Sequence, residues 1–210
     1  MDRTALPHLR SKFCRDATGV SAVEFALILP LMLALFIGGS ELARAIDNSR
    51  KVTLVSRVLA DLTSQGDTVN PMAAATMQDI LSSASLVLAP YNSNSTSIVI
   101  SAVGVYATNL TRPYICSSTT LNGVARTAKA NATDITVPPT FQLPGMRYVL
   151  AEVSMPYQPI FGSAVMKTFT GAAGLTFKVG MPWPVRAGKV VNSTYSEVIL
   201  PSGVACPLTP

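Results

Sequence analysis

The sequence is poor in the residues that enzymes and metal sites use most. Its 210 residues include one histidine, His8, and one tryptophan, Trp183. Residues 9–210 therefore contain no histidine, which excludes a Ser-His-Asp triad, a Cys-His pair and the common zinc sites from that part of the chain. No P-loop or GxGxxG pattern follows a strand-like stretch. We predict a protein that is not an enzyme and that has no cofactor, metal or small-molecule substrate.

Charge is also scarce, and its distribution argues against nucleic acid as a partner. Only 13% of the residues are charged and 49% are hydrophobic, while the net charge is +5. The basic residues are scattered singly or in pairs, without the stripe or the aromatic interleaving of a nucleic-acid surface. The hydrophobic excess lies mostly near the N-terminus, which indicates membrane contact.

Three cysteines are too few for a disulfide scaffold, and none has the CxxC spacing of a zinc site. Cys14 precedes the longest apolar run, whereas Cys116 and Cys206 follow it. If the later part is exported to an oxidising compartment, Cys116 and Cys206 are candidates for one disulfide that closes a long loop. The sequence leaves both the paired and the unpaired state open, because it does not give the distance between them.

The apolar run covers residues 20–40, and Glu24 is its only charged residue. A helix of this length spans about 31 Å, which matches the hydrocarbon core of a bilayer, and Pro30 is tolerated in such a span. Four basic residues precede the run within the leader and four follow it by residue 57, so their count does not set the orientation. Because the remaining residues are rich in Ser, Thr and Asn, we predict a cytoplasmic N-terminus and an exported C-terminal part.

Two alternatives remain open for this segment. In one, it is a secretory signal cleaved after Ala45, at the small-residue sequence Ala43-Arg44-Ala45, which would release a soluble secreted binding protein. In the other, it is an uncleaved anchor for a periplasmic domain. The first is less favoured, because signal h-regions usually span about 7–15 residues and this run is longer and carries a carboxylate.

A short basic segment ends at Gly19, and Val20-Ser21-Ala22-Val23-Glu24-Phe25 and the apolar run follow it. This arrangement resembles a type IV prepilin signal. The wording "VEFALILPLMLALFIGGSELARA", with Glu-Phe-Ala, a central Leu-Pro-Leu and a Glu and Arg after the run, is similar to the TadE-like family. Members of that family are pseudopilins of the tight-adherence (Tad, or Flp) pilus system in the bacterial inner membrane. The resemblance covers about residues 15–60.

The resemblance implies that a prepilin peptidase cuts between Gly19 and Val20, which makes Glu24 the fifth mature residue with Phe25 beside it. It also implies that Glu24 and Phe25 pack against other pilin-like subunits and that the partners are the inner membrane, the peptidase and the pilus assembly machinery. The residues themselves give Glu24 a physical role, since it lies one helical turn beyond the new α-amine of Val20. The alternative is a carboxylate that only marks the helix end.

The remaining chain predicts an α+β fold. A helical pattern with one apolar face continues through residues 41–66, where Gly66 is a stop signal, and a second helix is expected from Asn70-Pro71 to a point before Pro90. Strands are predicted at 98–106, 147–154, 175–180 and 195–200, in an antiparallel sheet, with long loops at 107–145 and 156–174. The predicted organisation is a basic leader (1–19), a transmembrane helix (20–40), a helix extension (41–66) and an external α+β domain (67–210).

Overall fold

A computed structural model of the chain describes residues 18–67, 69–128, 132–191 and 194–207. The chain forms two compact units, one ending at Arg44 and the other running Ala45–Pro210. Of the predicted basic leader, residues 1–17, with His8 and Cys14, lie outside the described residues.

Helix α1, Thr18–Ser64, is a single helix of 47 residues that includes Pro30. Its end agrees with the predicted stop, since Gly66 has a φ of 69° and its N–H donates to the Thr63 carbonyl at 3.0 Å. Within the second unit, Val52, Val55 and Leu59 are fully buried on one face of α1, as their helical spacing predicts.

Helix α2, Ala74–Leu88, buries an apolar face that comprises Met77, Ile80, Leu81, Ala84 and Leu88. The helical spacing in the sequence predicts the first four of these, together with Ala73 and Val87, which are only half-buried. Its predicted start is wrong, because Asn70-Pro71 is neither N-cap nor first turn. The Met72 N–H instead donates to the Ile199 carbonyl at 2.8 Å. Asp67 holds the helix start, where its Oδ2 accepts from the Ala73 N–H at 3.1 Å and the Thr76 hydroxyl at 3.0 Å.

The sheet contains four antiparallel strands in the order β2-β1-β3-β4. They are β1 Ser97–Val105, β2 Pro113–Leu121, β3 Arg147–Tyr157 and β4 Leu175–Pro184, and a short helix α3, Ser163–Thr170, connects β3 to β4 in sequence. Two shorter strands, β5 Lys189–Val191 and β6 Tyr195–Glu197, form a separate ribbon. The long apolar helix, the second helix and the antiparallel sheet confirm the predicted α+β fold.

Strand β2 lies inside the stretch 107–145 that the sequence predicts as loop, so that prediction is wrong. The stretch gives a weak strand signal, because residues 117–120 are four consecutive hydroxyl residues. In the structure these hydroxyls reinforce the pairing with β1. Thr120 Oγ1 donates to the Ile98 carbonyl at 2.8 Å, and Ser118 Oγ donates to the Ile100 carbonyl at 3.2 Å.

The two faces of the sheet carry different cores. The first core packs α1 and α2 against one face, through residues that include Ile98, Ile100, Val149, Ala151 and Val153. The second core lies on the opposite face and consists of Val103, Val105, Ile115, Val137, Phe141, Tyr148 and Leu150. Since the side chains of a strand alternate between faces, this division follows from the sequence period of two.

We predict that Leu59→Ala lowers the free energy of unfolding by about 2–5 kcal/mol, because Leu59 is fully buried and its loss leaves a cavity. Leu54→Ala is the matched control on the same helix, since Leu54 is 50% exposed, and we expect a change within about 0.5 kcal/mol. Urea unfolding of both variants of the full chain in a mild detergent measures the difference. Equal effects would contradict the packing of α1 in the first core.

Candidate functional site: the exposed N-terminal helix

The N-terminal part of α1 exposes large apolar side chains along its whole circumference. Leu27 is 75% exposed, Leu35 is 68% exposed and Phe36 is 76% exposed. The helix is long and apolar enough to cross a membrane, and none of its most apolar stretch is buried. Such a surface is unfavourable in water, so it requires lipid tails or other apolar helices around it.

Gly19 and Val20 lie in the first turn of α1, which begins at Thr18. The Val20 side chain is 56% exposed. Of the two predicted processing residues, Val20 therefore has a side chain that is accessible in the structure.

Glu24 and Phe25 lie one turn further along, and both side chains are exposed. Among the described residues, no ion pair involves Glu24. Four residues, about 6 Å of helical rise, separate Glu24 from Val20. The structure therefore presents one carboxylate within an apolar helix surface, next to an exposed aromatic ring.

The apolar segment ends where polar contacts begin. Ser40 Oγ donates to the Ile37 carbonyl at 2.8 Å, and Glu41 and Arg44 form an ion pair at 3.8 Å. An added Cβ at Gly38 or Gly39 would meet nothing within 4 Å. These two glycines are thus compatible with the close approach of another helix.

Two further residues that the sequence singles out, Cys116 and Cys206, lie in the unit Ala45–Pro210. Cys116 and Cys206 form a disulfide, with their Cα atoms 4.9 Å apart. Beside it, Arg147 and Glu197 are a buried ion pair, with Arg147 Nε 3.6 Å from Glu197 Oε2. We call these four residues, Cys116, Cys206, Arg147 and Glu197, the C-terminal clamp.

The C-terminal clamp fixes the last described residues to the sheet. Arg147 Nη2 donates to the Pro207 carbonyl at 2.6 Å and Nη1 donates to the Gly145 carbonyl at 3.0 Å. Glu197 Oε2 accepts from the Cys206 N–H at 3.2 Å. A Cβ on Gly104 would lie 2.9 Å from Arg147 Nη1 and 3.2 Å from Cys206 Sγ, so glycine makes room for the clamp.

Burial dominates the electrostatics of the clamp. It raises the pKa of Glu197, although the Arg147 guanidinium and the Cys206 N–H oppose this change. Burial likewise lowers the pKa of Arg147. The sequence drew attention to the cysteines but not to this pair, because its two members are isolated and far apart in the chain.

A third polar cluster joins the segment after β2 to the sheet. Arg126 donates to both carboxylate oxygens of Asp134 at 2.9 Å and forms an ion pair with Glu152 at 2.5 Å. The hydrogen bond from Arg126 lowers the pKa of Asp134, and hydrogen bonds to Glu152 and Asp134 raise the pKa of Arg126. The arginine satisfies both carboxylates, which makes them a structural cluster and not an acid-base pair.

An open cavity of about 520 Å³ lies beside this cluster and is lined by residues that include Ser97, Arg126, Glu152 and Lys178. Among the described residues, no group of three His, Cys, Asp or Glu side chains is placed to hold a metal ion. The cavity does not bring together any of the residues that the sequence predicts as a site.

The comparison with known families points to the helix. Residues 19–61 match the family model described as TadE-like protein. No curated protein and no solved structure matches the chain. The matched segment starts at Gly19 and contains Glu24, Phe25 and the whole exposed apolar part of α1.

We predict that Arg147→Met destabilises the chain by about 3–5 kcal/mol at neutral pH, because it leaves Glu197 buried without its cation. The folded pKa of Glu197 already lies above its ordinary value and should rise further in the variant. The folded state then binds a proton more tightly than the unfolded state, so the defect should shrink as the pH falls from about 7 towards about 5. Urea unfolding across this pH range measures the effect.

Two controls separate the buried pair from a general loss of arginine. The double variant Arg147→Met/Glu197→Gln should recover part of the lost stability, because it no longer buries a lone carboxylate. Arg50→Met changes an exposed arginine and should have little effect. A pH-independent defect in Arg147→Met, with no recovery in the double variant, would contradict the assignment.

Proposed function

Residues 19–61 form a TadE-like segment, and from this we propose that the chain is a minor pilin-like subunit of a Tad pilus assembly system. The observation that carries the proposal is the exposed apolar helix in the matched segment, with Glu24 as the only charge within residues 20–40. The chain acts by assembly and not by catalysis. Its partners are other pilin-like subunits and the pilus assembly machinery.

Residues 20–40 are the single-pass anchor in the bacterial inner membrane. A helix is suited to this role because its backbone hydrogen bonds are internal and need no water. The N-terminus lies in the cytoplasm and the unit Ala45–Pro210 lies in the periplasm. The disulfide between Cys116 and Cys206 supports this orientation, because such bonds persist in the oxidising periplasm and are rare in the cytosol.

A prepilin peptidase cleaves the chain after Gly19 and leaves Val20 with a free α-amine. The Glu24 carboxylate then pairs with this amine or with the amine of a neighbouring subunit. Such a pair is stronger in a poorly hydrated setting than in water, because the effective dielectric constant is lower. Phe25 adds apolar contact beside the pair, and together the two residues set the register between neighbouring helices.

One observation favours the secreted alternative with cleavage after Ala45. The boundary between the two compact units lies between Arg44 and Ala45, close to the cleavage site that this alternative requires. The family match, however, runs through this boundary from residue 19 to residue 61. Cleavage there would separate the apolar helix from the remainder of the matched segment. The match therefore favours retention of the helix as part of the working protein.

We predict that the protein purified from membranes of its native host begins at Val20. Intact-mass measurement should show the loss of residues 1–19, and Gly19→Leu should retain the leader because the peptidase site no longer has its glycine. Thr18→Ala is the neighbouring control and should be processed normally. A start at Ile46 would support the secreted alternative, and a start at Met1 would leave an uncleaved anchored domain.

We predict that Glu24→Ala leaves membrane insertion unchanged, because it does not reduce the apolar character of the helix. Pilus assembly should fall about tenfold, which corresponds to the loss of one interaction of about 1.4 kcal/mol. The readouts are the chain in the membrane fraction and the pilin in a sheared surface fraction. Glu41→Ala is the matched control, since Glu41 lies past the apolar run and pairs with Arg44; normal piliation in Glu24→Ala would refute the role of Glu24.

A further inference from the structure

Strand β4 lies at one edge of the four-stranded sheet, and in the described part of the chain no strand lies beyond it. It is ten residues long, Leu175–Pro184. An open edge of this kind offers a row of unpaired N–H and C=O groups to any extended chain. The question is which of these groups face outwards and what they fit.

The prolines decide which backbone groups point away from β3. Pro156 pairs with Thr176, Leu150 with Pro182 and Tyr148 with Pro184. Proline has no N–H and cannot donate to the neighbouring strand. These three pairs are therefore non-hydrogen-bonded pairs of the antiparallel ladder, in which the N–H and C=O groups of each residue point away from the partner strand. The register has no shift along β4, and the pairs of Lys178 and Gly180 with β3 therefore belong to the same set.

The outward positions of β4 divide into two halves. Pro182 and Pro184 cannot donate a hydrogen bond, and they protect the C-terminal half of the edge. Thr176, Lys178 and Gly180 retain their N–H groups, so residues 175–180 remain able to pair. Natural sheets use proline and lysine to prevent unwanted pairing at edges, and here proline covers only part of the edge.

Lys178 is the only charged residue in the open half of β4, residues 175–180. Residues 153–196 contain four basic residues and no Asp or Glu. Of these, Arg186 forms an ion pair with Asp61 at 2.8 Å, but Lys178 is exposed and has no ion pair among the described residues. The carboxylate of Glu152, which lies opposite Gly180 on β3, is held by Arg126, and Arg126 also binds Asp134. An acidic partner is therefore the one that this edge complements.

The side chains of the open half alternate in character. Phe177 and Val179 are half-buried and pack against the first core, so an added strand would place apolar residues beside them. Lys178 lies on the opposite face, where it lines the cavity of about 520 Å³. A strand placed alongside would therefore alternate apolar residues with acidic residues.

We propose that residues 175–180 of β4 bind an extended segment of a partner protein whose residues alternate between apolar and acidic. A second copy of this chain fits less well. Symmetric pairing of two copies through Thr176, Lys178 and Gly180 would place the two-fold axis at Lys178. Each Lys178 would then lie opposite the Lys178 of the other copy, and like charges on adjacent strands repel. The proposal goes beyond the role of the N-terminal helix and does not depend on cleavage after Gly19.

The test uses the full chain in a neutral detergent and an end-blocked peptide of eight residues that alternates valine with glutamate. A peptide that alternates valine with lysine is the matched probe. We expect the wild-type chain to bind the glutamate peptide at least about fivefold more tightly, since like charges on adjacent strands repel. Lys178→Glu should reverse this preference.

Thr176→Pro tests the backbone contribution. It removes one N–H that points away from β3. The hydrogen bonds to β3 stay intact, because Thr176 lies in a non-hydrogen-bonded pair with Pro156. Binding of the glutamate peptide should fall about tenfold, with thermal unfolding of the domain unchanged. Thr176→Val retains the N–H and should bind as the wild type does.

Three outcomes of the peptide experiments would overturn the proposal. They are equal binding of both peptides, undiminished binding by Thr176→Pro, and the absence of saturable binding at millimolar peptide. Self-association of the wild-type chain that Thr176→Pro abolishes would assign the edge to a second copy and would also overturn the acidic partner. None of these readouts depends on the N-terminus of the chain or on piliation.

Discussion

The hydrogen-bond ladder of α1, which Pro30 interrupts by one missing N–H, is the constraint on which the rest of the structure depends. A helix satisfies its own backbone polar groups, so one element can be apolar on all sides over residues 20–37 and amphipathic further on. In the later part, Val52, Val55 and Leu59 are buried while Arg50 and Arg57 are exposed. A break in the buried part, around Val52 and Val55, would leave backbone N–H and C=O groups unpaired away from water.

The C-terminal clamp acts at the opposite end of the chain and uses different physics. The disulfide closes a sequence separation of 90 residues, which restricts the unfolded chain, while Arg147 and Glu197 position the backbone of residues 206 and 207. A buried ion pair seldom adds much stability by itself, since desolvation offsets the attraction. Here its hydrogen bonds to backbone groups fix where the final segment lies on the sheet. The disulfide and the pair therefore have separate roles, one limiting the unfolded state and the other specifying the folded one.

The sequence predicts those parts of the fold that repeat with a regular period. The apolar face of α1, the buried face of α2 and strands β1, β3 and β4 follow from spacing in the residues alone. The start of α2 could not be read from spacing, because Asp67 lies seven residues before its first helical residue and overrides the Asn70-Pro71 signal. The sequence does not predict strand β2, because its hydroxyls, which bond to β1, give no alternating pattern. Arg147 and Glu197 meet only through the fold, whereas Glu24 was visible because a lone charge in an apolar run is conspicuous.

The two proposed contact surfaces should respond differently to their surroundings. If Glu24 pairs within the membrane as proposed, the pair would lie in a medium of low dielectric constant, where added salt has little effect. Lys178 faces water, so its attraction for an acidic strand is screened over about 8 Å at physiological ionic strength. The backbone hydrogen bonds of β4 are less sensitive to salt, and they would sustain pairing once the strands had met. Under these two proposals, charge at the edge would select the partner and the strand's backbone would hold it, whereas in the helix the charge itself would fix the register.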